Sequence, residues 1–323
     1  MPKIQLSVLL LSLALIFTAC DAPRNNPVDT GSDLGSLPLI KGNIRATGTS
    51  VTPVSGALLN FIPTGNFTTT DADGNFNLQV PFKKEGWLII SKTGFKTDSI
   101  FISWGNGKLA EVKKELLKFP EIKTFYVTSS VIRRFPDLKF TSFKFFVELA
   151  DSYQGLDSIV VTNNASAVSI SLDPAPGGRQ FLREIFSFQL PGLVSPNSLV
   201  GQEFKASFHT GGEVYTSSLT RNVTRIIDEE IKFISPANNA VYPNPVSLSW
   251  QAFDPGFNHT YTVEVLLDDI TPLTVWKKEG IPSGTTRAEV DVPLPAGGYI
   301  WVIYCVDEFG NTSRSKPASF LVR

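Results

Sequence analysis

Histidine and cysteine are nearly missing from this chain of 323 residues, which holds only His209, His259, Cys20 and Cys305. A catalytic zinc takes three protein ligands, often histidines, and the two histidines here fall in different segments. A Ser/His/Asp arrangement would need one of them as base, yet no Gly-x-Ser-x-Gly elbow occurs. A glycine-rich strand-to-helix loop that could cradle phosphates is also missing, so nucleotide cofactors have no seat. No catalytic residue, metal site or cofactor is therefore expected, and only a carboxylate pair brought together by folding stays open. A net basic charge is lacking too. The formal net charge is -1, which argues against nucleic acid as a partner.

What the chain has in quantity is phenylalanine, glycine and proline, at 24, 24 and 22 residues, with 42% apolar residues. That mixture fits strands separated by turns and predicts an all-β protein. With so few cysteines an intramolecular disulfide is not expected, so stability must come from packing. Cys305, among strand-like apolar neighbours, reads as a buried thiol.

Lys3 precedes an apolar run from Leu6 to Phe17, the length of a signal-peptide core and short for a membrane span. Residues 1–19 are expected to be a signal peptide. Phe17-Thr18-Ala19-Cys20 resembles the lipobox of bacterial lipoproteins, which implies lipidation of Cys20 and anchoring by several acyl chains. The expected location is the cell envelope, with the outer membrane or cell surface favoured. From there to residue 38 the chain has no apolar period and reads as a flexible tether over residues 20–38.

Three blocks of β-sandwich character follow. In residues 39–118 the ordered signatures Ile40-Lys41-Gly42-Asn43-Ile44, Pro53-Val54-Ser55-Gly56-Ala57, Thr70-Asp71-Ala72-Asp73-Gly74-Asn75-Phe76 and Lys92-Thr93-Gly94-Phe95 resemble the carboxypeptidase regulatory-like domain family. That resemblance implies a transthyretin-like sandwich. Asp73-Gly74 is expected to turn a tight hairpin between strands Asn66 to Thr70 and Asn75 to Val80, with Phe76, Leu78 and Val80 pointing inward. The two aspartates could be taken for half a calcium loop, but its twelfth position is Phe82, and the turn is preferred.

Residues 119–228 carry seven short alternating runs, which fit an immunoglobulin-like sandwich. In residues 229–323, Pro245-Val246-Ser247-Leu248-Ser249-Trp250, Tyr261-Thr262-Val263-Glu264-Val265 and Gly298-Tyr299-Ile300-Trp301-Val302-Ile303-Tyr304-Cys305 resemble a bacterial fibronectin type III domain. Period-two alternation places Val246, Leu248 and Trp250 on one inner face and Tyr299, Trp301, Ile303 and Cys305 on the other. The doublets Lys83-Lys84, Lys113-Lys114, Arg133-Arg134 and Lys277-Lys278 read as solvated faces.

The expectation is a non-enzymatic, lipid-anchored envelope protein that acts as a binding, adhesion or scaffold module. Its partners would be the membrane, through Cys20, and a surface protein or polysaccharide. Such chains resemble surface lipoproteins of the Bacteroidetes kind. The alternative is a carbohydrate-binding lipoprotein of a glycan-uptake system, with Trp104 the leading ligand-binding candidate, ahead of Trp87 and Trp276.

Overall fold

Alternating apolar and polar residues build this molecule almost entirely from strands. The computed structural model describes residues 37–47, 52–153 and 155–323; the signal peptide, Cys20 and most of the expected tether lie outside them. The chain divides into two compact units, one ending at Phe119 and one covering Pro120–Arg323.

The first unit contains β1 (Leu39–Ala46), β2 (Leu58–Phe61), β3 (Asn66–Thr69), β4 (Asn75–Gln79), β5 (Gly86–Ser91), β6 (Asp98–Ile102) and β7 (Leu109–Leu116). They form a three-stranded sheet, β4-β1-β7, and a four-stranded sheet, β3-β2-β5-β6. Ile40, Ile44, Phe76 and Val112 of the first sheet share one core with Leu59, Phe61, Leu88 and Ile90 of the second. Gly42 has a steric cause: a Cβ there would lie 1.9 Å from the Val112 carbonyl oxygen of the neighbouring strand.

Phe76, Leu78 and Val80 are buried as alternation predicts. The hairpin around Asp73-Gly74 is not formed, however, because β3 pairs with β2 and β4 pairs with β1. The turn carries the chain from one sheet to the other. Gly74 does adopt a positive φ of 77°, and the Asp71 carboxylate accepts the N–H groups of Asp73 and Asn75 at 3.0 and 2.8 Å. Turn chemistry is local, whereas the choice of strand partner depends on which apolar faces meet.

The second unit contains β8 (Ile122–Arg134), β9 (Leu138–Leu149), β10 (Leu156–Asn163), β11 (Val168–Ser171), β12 (Asp173–Pro174), β13 (Gln180–Phe186), β14 (Glu203–Thr210) and β15 (Glu213–Asn222). It continues with β16 (Phe233–Ser235), β17 (Ala240–Tyr242), β18 (Ser247–Trp250), β19 (His259–Leu267), β20 (Thr274–Pro282), β21 (Arg287–Glu289), β22 (Gly297–Asp307), β23 (Thr312–Arg314) and β24 (Ala318–Val322). Two sandwiches result, each with its own core. Phe143, Phe145, Phe204 and Phe208 anchor the first; Trp250, Tyr261, Trp301 and Phe320 anchor the second. The predicted inner faces of the last block meet as expected, and Tyr299 donates its hydroxyl to the Pro295 carbonyl at 2.8 Å. The chain is thus all-β, with β-sandwiches in tandem.

The two sandwiches of this unit are not beads on a linker. Val223 belongs to the core of the first and Ile227 to that of the second, so the expected boundary between residues 228 and 229 falls beyond the start of the second core. One sheet runs through both, in the order β12-β13-β9-β8-β23-β22-β19-β20, because β23 pairs in parallel with β8 through Thr312–Ser130, Ser313–Val131 and Arg314–Ile132.

Candidate binding surfaces

Local turn chemistry places the residues that lock this joint. After β22 the Asp307 carboxylate accepts the N–H groups of Phe309 and Asn311 at 2.9 and 2.8 Å, closing the turn and turning Asn311 inward. Asn311 is fully buried. Its amide oxygen accepts Ser129 N–H at 2.9 Å, and its amide nitrogen donates to Thr224 Oγ1 at 2.6 Å and Asp307 Oδ2 at 2.9 Å. Arg225 reaches Asp307 at 3.3 Å and lies over the Phe257 ring, 4.1 Å from its centroid.

Arg133, expected on a solvated face, is only 6% exposed. It donates to Ser313 Oγ at 2.7 Å and to the Asp228 carbonyl. Burial pulls its pKa below the ordinary value, while Glu230 and Asp228 oppose that shift. A basic doublet on a strand points one residue to each side of the sheet, so one of the two meets whatever packs there. Here that is the neighbouring sandwich.

The outer face of the continuous sheet carries two shallow cavities that share Thr312. One, of about 460 Å³, is lined by Tyr126, Thr128, Lys144, Glu184 and Phe309. The other, of about 490 Å³, is lined by Thr262, Glu264, Lys277 and Tyr304. In the second the charges are internally matched, with Lys277 bridging Glu264 and Glu279 at 3.2 and 2.6 Å.

The candidate chemical groups do not converge. His209 lies on β14 and His259 on β19, in different sandwiches. His259 Nδ1 contacts the Phe257 carbonyl at 3.1 Å, beside a cavity of about 640 Å³. Asp254, in the same loop, accepts Gly256 N–H at 3.3 Å. Cys305 is buried, and burial together with the Asp307 charge pushes its thiol up to about 12. A thiol held protonated at neutral pH is a poor nucleophile. Among the described residues no group of three or more His, Cys, Asp or Glu is placed to hold a metal ion.

Of the tryptophans, Trp104 is half-buried against the first unit's core and donates its indole N–H to the Lys84 carbonyl at 2.8 Å. Trp276 is buried and bonded to Asp291 at 2.7 Å. Trp87 is the exposed one. In β5 the alternation Trp87-Leu88-Ile89-Ile90 sends Leu88 and Ile90 to the core and Trp87 to the opposite side, a signal readable in the sequence. Trp87 pairs with Phe101 across β5 and β6, with ring centroids 5.4 Å apart and an interplanar angle of 75°.

These rings belong to a wider apolar face on the outside of β3-β2-β5-β6. Phe67 is 71% exposed, Ile62 57%, Trp87 51%, Phe101 49% and Leu58 42%. The register sets Asn60 opposite both Phe67 and Ile89, and Ile62 N–H donates to the Trp87 carbonyl at 3.0 Å. The remaining outward positions of these strands are Thr69, Ile89, Ser91 and Ser99, and just past the ends of β5 and β6 the Ser103 hydroxyl donates to the Glu85 carboxylate at 2.7 Å, beside Trp87 and Phe101. Asn60 Oδ1 is buried beneath it and has no hydrogen-bond partner among the described residues. The outer face of β4-β1-β7 differs entirely, with Lys41, Arg45, Glu111, Lys113 and Glu115 among its outward side chains.

No protein-family model and no curated protein matches the chain. Among solved structures it is similar to the fibronectin(III)-like modules of Clostridium thermocellum CbhA, with 14% identity over 63% of this chain and 93% of that one, at a TM-score of 0.30. It is also similar to the FN1–FN3 domains of chicken CNTN1, with 9% identity over 88% of this chain and 98% of that one, at a TM-score of 0.29. At this level of likeness the fold rests on the strand pairing described above, and nothing about ligand or activity is transferred.

Proposed function

We propose that this chain is a non-catalytic binding and scaffold protein of a bacterial cell envelope, exported by residues 1–19 and tethered by lipid on Cys20. The observation that carries the reading is the joint of the second unit. The densest cluster of buried polar groups there, Arg133, Asp307 and Asn311, is engaged in holding two sandwiches in one sheet. Polar groups saturated by mutual hydrogen bonds set geometry and have no free capacity for proton transfer. A stiff two-sandwich element is what a spacer or display module needs, since a rigid body presents its surface without an ordering cost. The lipobox-like Phe17-Thr18-Ala19-Cys20 supplies the tether in this reading.

The test is fractionation and protease shaving of intact native cells, comparing the chain with its Cys20→Ala variant. Membrane association lost in the variant, together with shaving of the unmodified protein, supports surface display. A protein that fractionates as soluble with Cys20 intact overturns the tether.

A further inference from the structure

We propose that the end of the first unit at which the chain enters β1 rests on an anionic lipid surface, with Phe82 entering that surface. This rests on the reading of Cys20 as the anchor and names what the anchored unit touches.

Strand directions gather this end. β1 and β7 run parallel, so Leu39 and Leu109 start side by side, and β4 brings Gln79 opposite Leu39. The Leu39 N–H donates to the Lys108 carbonyl at 2.8 Å, and the Val80 N–H to the Pro38 carbonyl at 2.9 Å. Two loops therefore flank the entering chain, residues 80–85 before β5 and residues 103–108 after β6. They are tied together: Trp104 donates to the Lys84 carbonyl at 2.8 Å, and Lys83 Nζ donates to the Gly105 and Asn106 carbonyls at 3.3 Å.

Three properties select the partner. The first is charge. The loops expose Lys83, Lys84 and Lys108 against a single carboxylate, Glu85, which accepts the Ser103 hydroxyl at 2.7 Å. None of the three ammonium groups has a carboxylate partner among the described residues, whereas elsewhere on the sandwich Lys41 pairs with Glu111 and Lys114 with Asp98. The turns at the other end are balanced, with Lys92 and Lys96 accompanied by Asp71 and Asp73.

The second is an apolar side chain in the same loop. Phe82 is 54% exposed and directly precedes Lys83 and Lys84. At a membrane interface such a ring enters the acyl boundary while the ammonium groups stay with the headgroups. A dissolved polyanion offers the ring nothing. The third is position. The segment that carries Cys20 joins the sandwich here, whereas the chain leaves β7 at Leu116, at the opposite end. Eighteen residues separate Cys20 from Leu39, a span of at most about 65 Å. An anchor that close keeps this end at high effective concentration near the lipid, where weak headgroup contacts suffice.

The experiment uses the exported form from Cys20 onward, which keeps every described residue. Its Cys20 thiol is coupled to a maleimide lipid in vesicles; Cys305 is buried and does not compete. Backbone hydrogen exchange in residues 80–85 and 103–108 is compared on equimolar phosphatidylglycerol and phosphatidylcholine and on phosphatidylcholine alone. Slowing by about tenfold or more is expected on the anionic vesicles only, and it should vanish at high salt. A lysine near an anionic surface contributes about fivefold. Lys84→Gln combined with Lys108→Gln should therefore weaken the contact about twentyfold and remove the slowing. Phe82→Ser should reduce it, and Lys92→Gln at the other end should leave it unchanged. Circular dichroism confirms that each variant is folded.

The proposal is refuted by equal exchange on the two kinds of vesicle, by indifference to the lysine pair or to Phe82→Ser, or by equal slowing in the turns at the other end. It also fails if the same slowing appears without vesicles as protein concentration rises, since a second copy then covers this end. Because the anchor is attached chemically, failure here leaves native lipidation of Cys20 standing. A native protein that fractionates as soluble overturns the tether whatever the vesicles show.

Discussion

The joint of the second unit and the outer sheet face of the first are inversions of one another. At the joint, groups that prefer water are buried: Arg133, Asp307, Asn311 and Ser313. On the sheet face, groups that avoid water are exposed: Phe67, Ile62, Trp87 and Phe101. Both depart from the usual sorting of side chains, and they differ in what completes them. At the joint the polar groups of Asn311 and Asp307 and the Arg133 fork find partners across the two sandwiches, although Arg225 Nη1 and Arg314 Nε are buried there without a hydrogen bond among the described residues. On the face the rings pair with one another, Trp87 with Phe101, and Asn60 Oδ1 is buried without a hydrogen bond among the described residues. A buried polar cluster bonded across two sandwiches fixes architecture; an exposed apolar cluster marks an interaction surface.

That contrast can be broken by mutation. Asn311→Ala strands the Ser129 N–H and removes two donors from Thr224 and Asp307, so it should destabilise residues 120–323 by about 3 kcal/mol. Urea unfolding measures the loss; an unchanged midpoint would mean that apolar packing alone holds the two sandwiches together. Arg133→Lys keeps the charge but loses the planar fork that reaches both Ser313 Oγ and the Asp228 carbonyl. Its cost should be smaller, about 1–2 kcal/mol in the same assay.

An ordinary ion pair gives a smaller effect still. Asp98 on β6 and Lys114 on β7 bridge the open edge of the first sandwich at 2.8 Å. Burial opposes the charge on Asp98, but the hydrogen bond from Lys114, the Ser99 N–H and the charges of Lys114 and Lys96 together hold its pKa below the ordinary 3.8. A depressed folded pKa adds stability that is present above the unfolded value and fades as pH falls through the folded one. Both side chains are partly exposed, so the contribution should stay under about 1 kcal/mol. Comparing melts near pH 6 and below pH 3 for the native chain and Lys114→Met isolates it; an identical acid response in the two proteins would remove the bridge from the account. Of similar size, Trp87→Ser should cost no more than about 1 kcal/mol, because the half-exposed ring loses chiefly its cross-strand pair with Phe101. A large loss on thermal unfolding would make Trp87 a structural residue and erase the contrast with the joint.

The period-two pattern made the inner faces legible. It places Phe76 and Leu78, Val246 and Trp250, and Trp301 and Cys305 in cores, because in a strand each residue's side is set by its neighbours' sides. The same rule marks Trp87 as outward, opposite Leu88 and Ile90, whereas Trp104 lies beyond the end of β6, outside any alternating run, so its half-buried packing could not be derived. Turn chemistry was equally local: Gly74 takes its positive φ and Asp71 caps the turn. Which strand Asp73-Gly74 leads into was not local, so a hairpin was expected where a crossing between sheets is found.

By itself, then, the sequence determined the all-β character, the residues that form each core and the scarcity of groups for catalysis, since all three follow from composition and from patterns a few residues long. Only the tertiary structure decided that β8 and β23, about 180 residues apart, pair into one sheet, that Arg133 and Asn311 are buried between them, and that Phe67, Trp87 and Phe101 share one sheet face. Those facts depend on contacts between segments far apart in the chain, and no local rule of backbone or side-chain preference carries information across that distance.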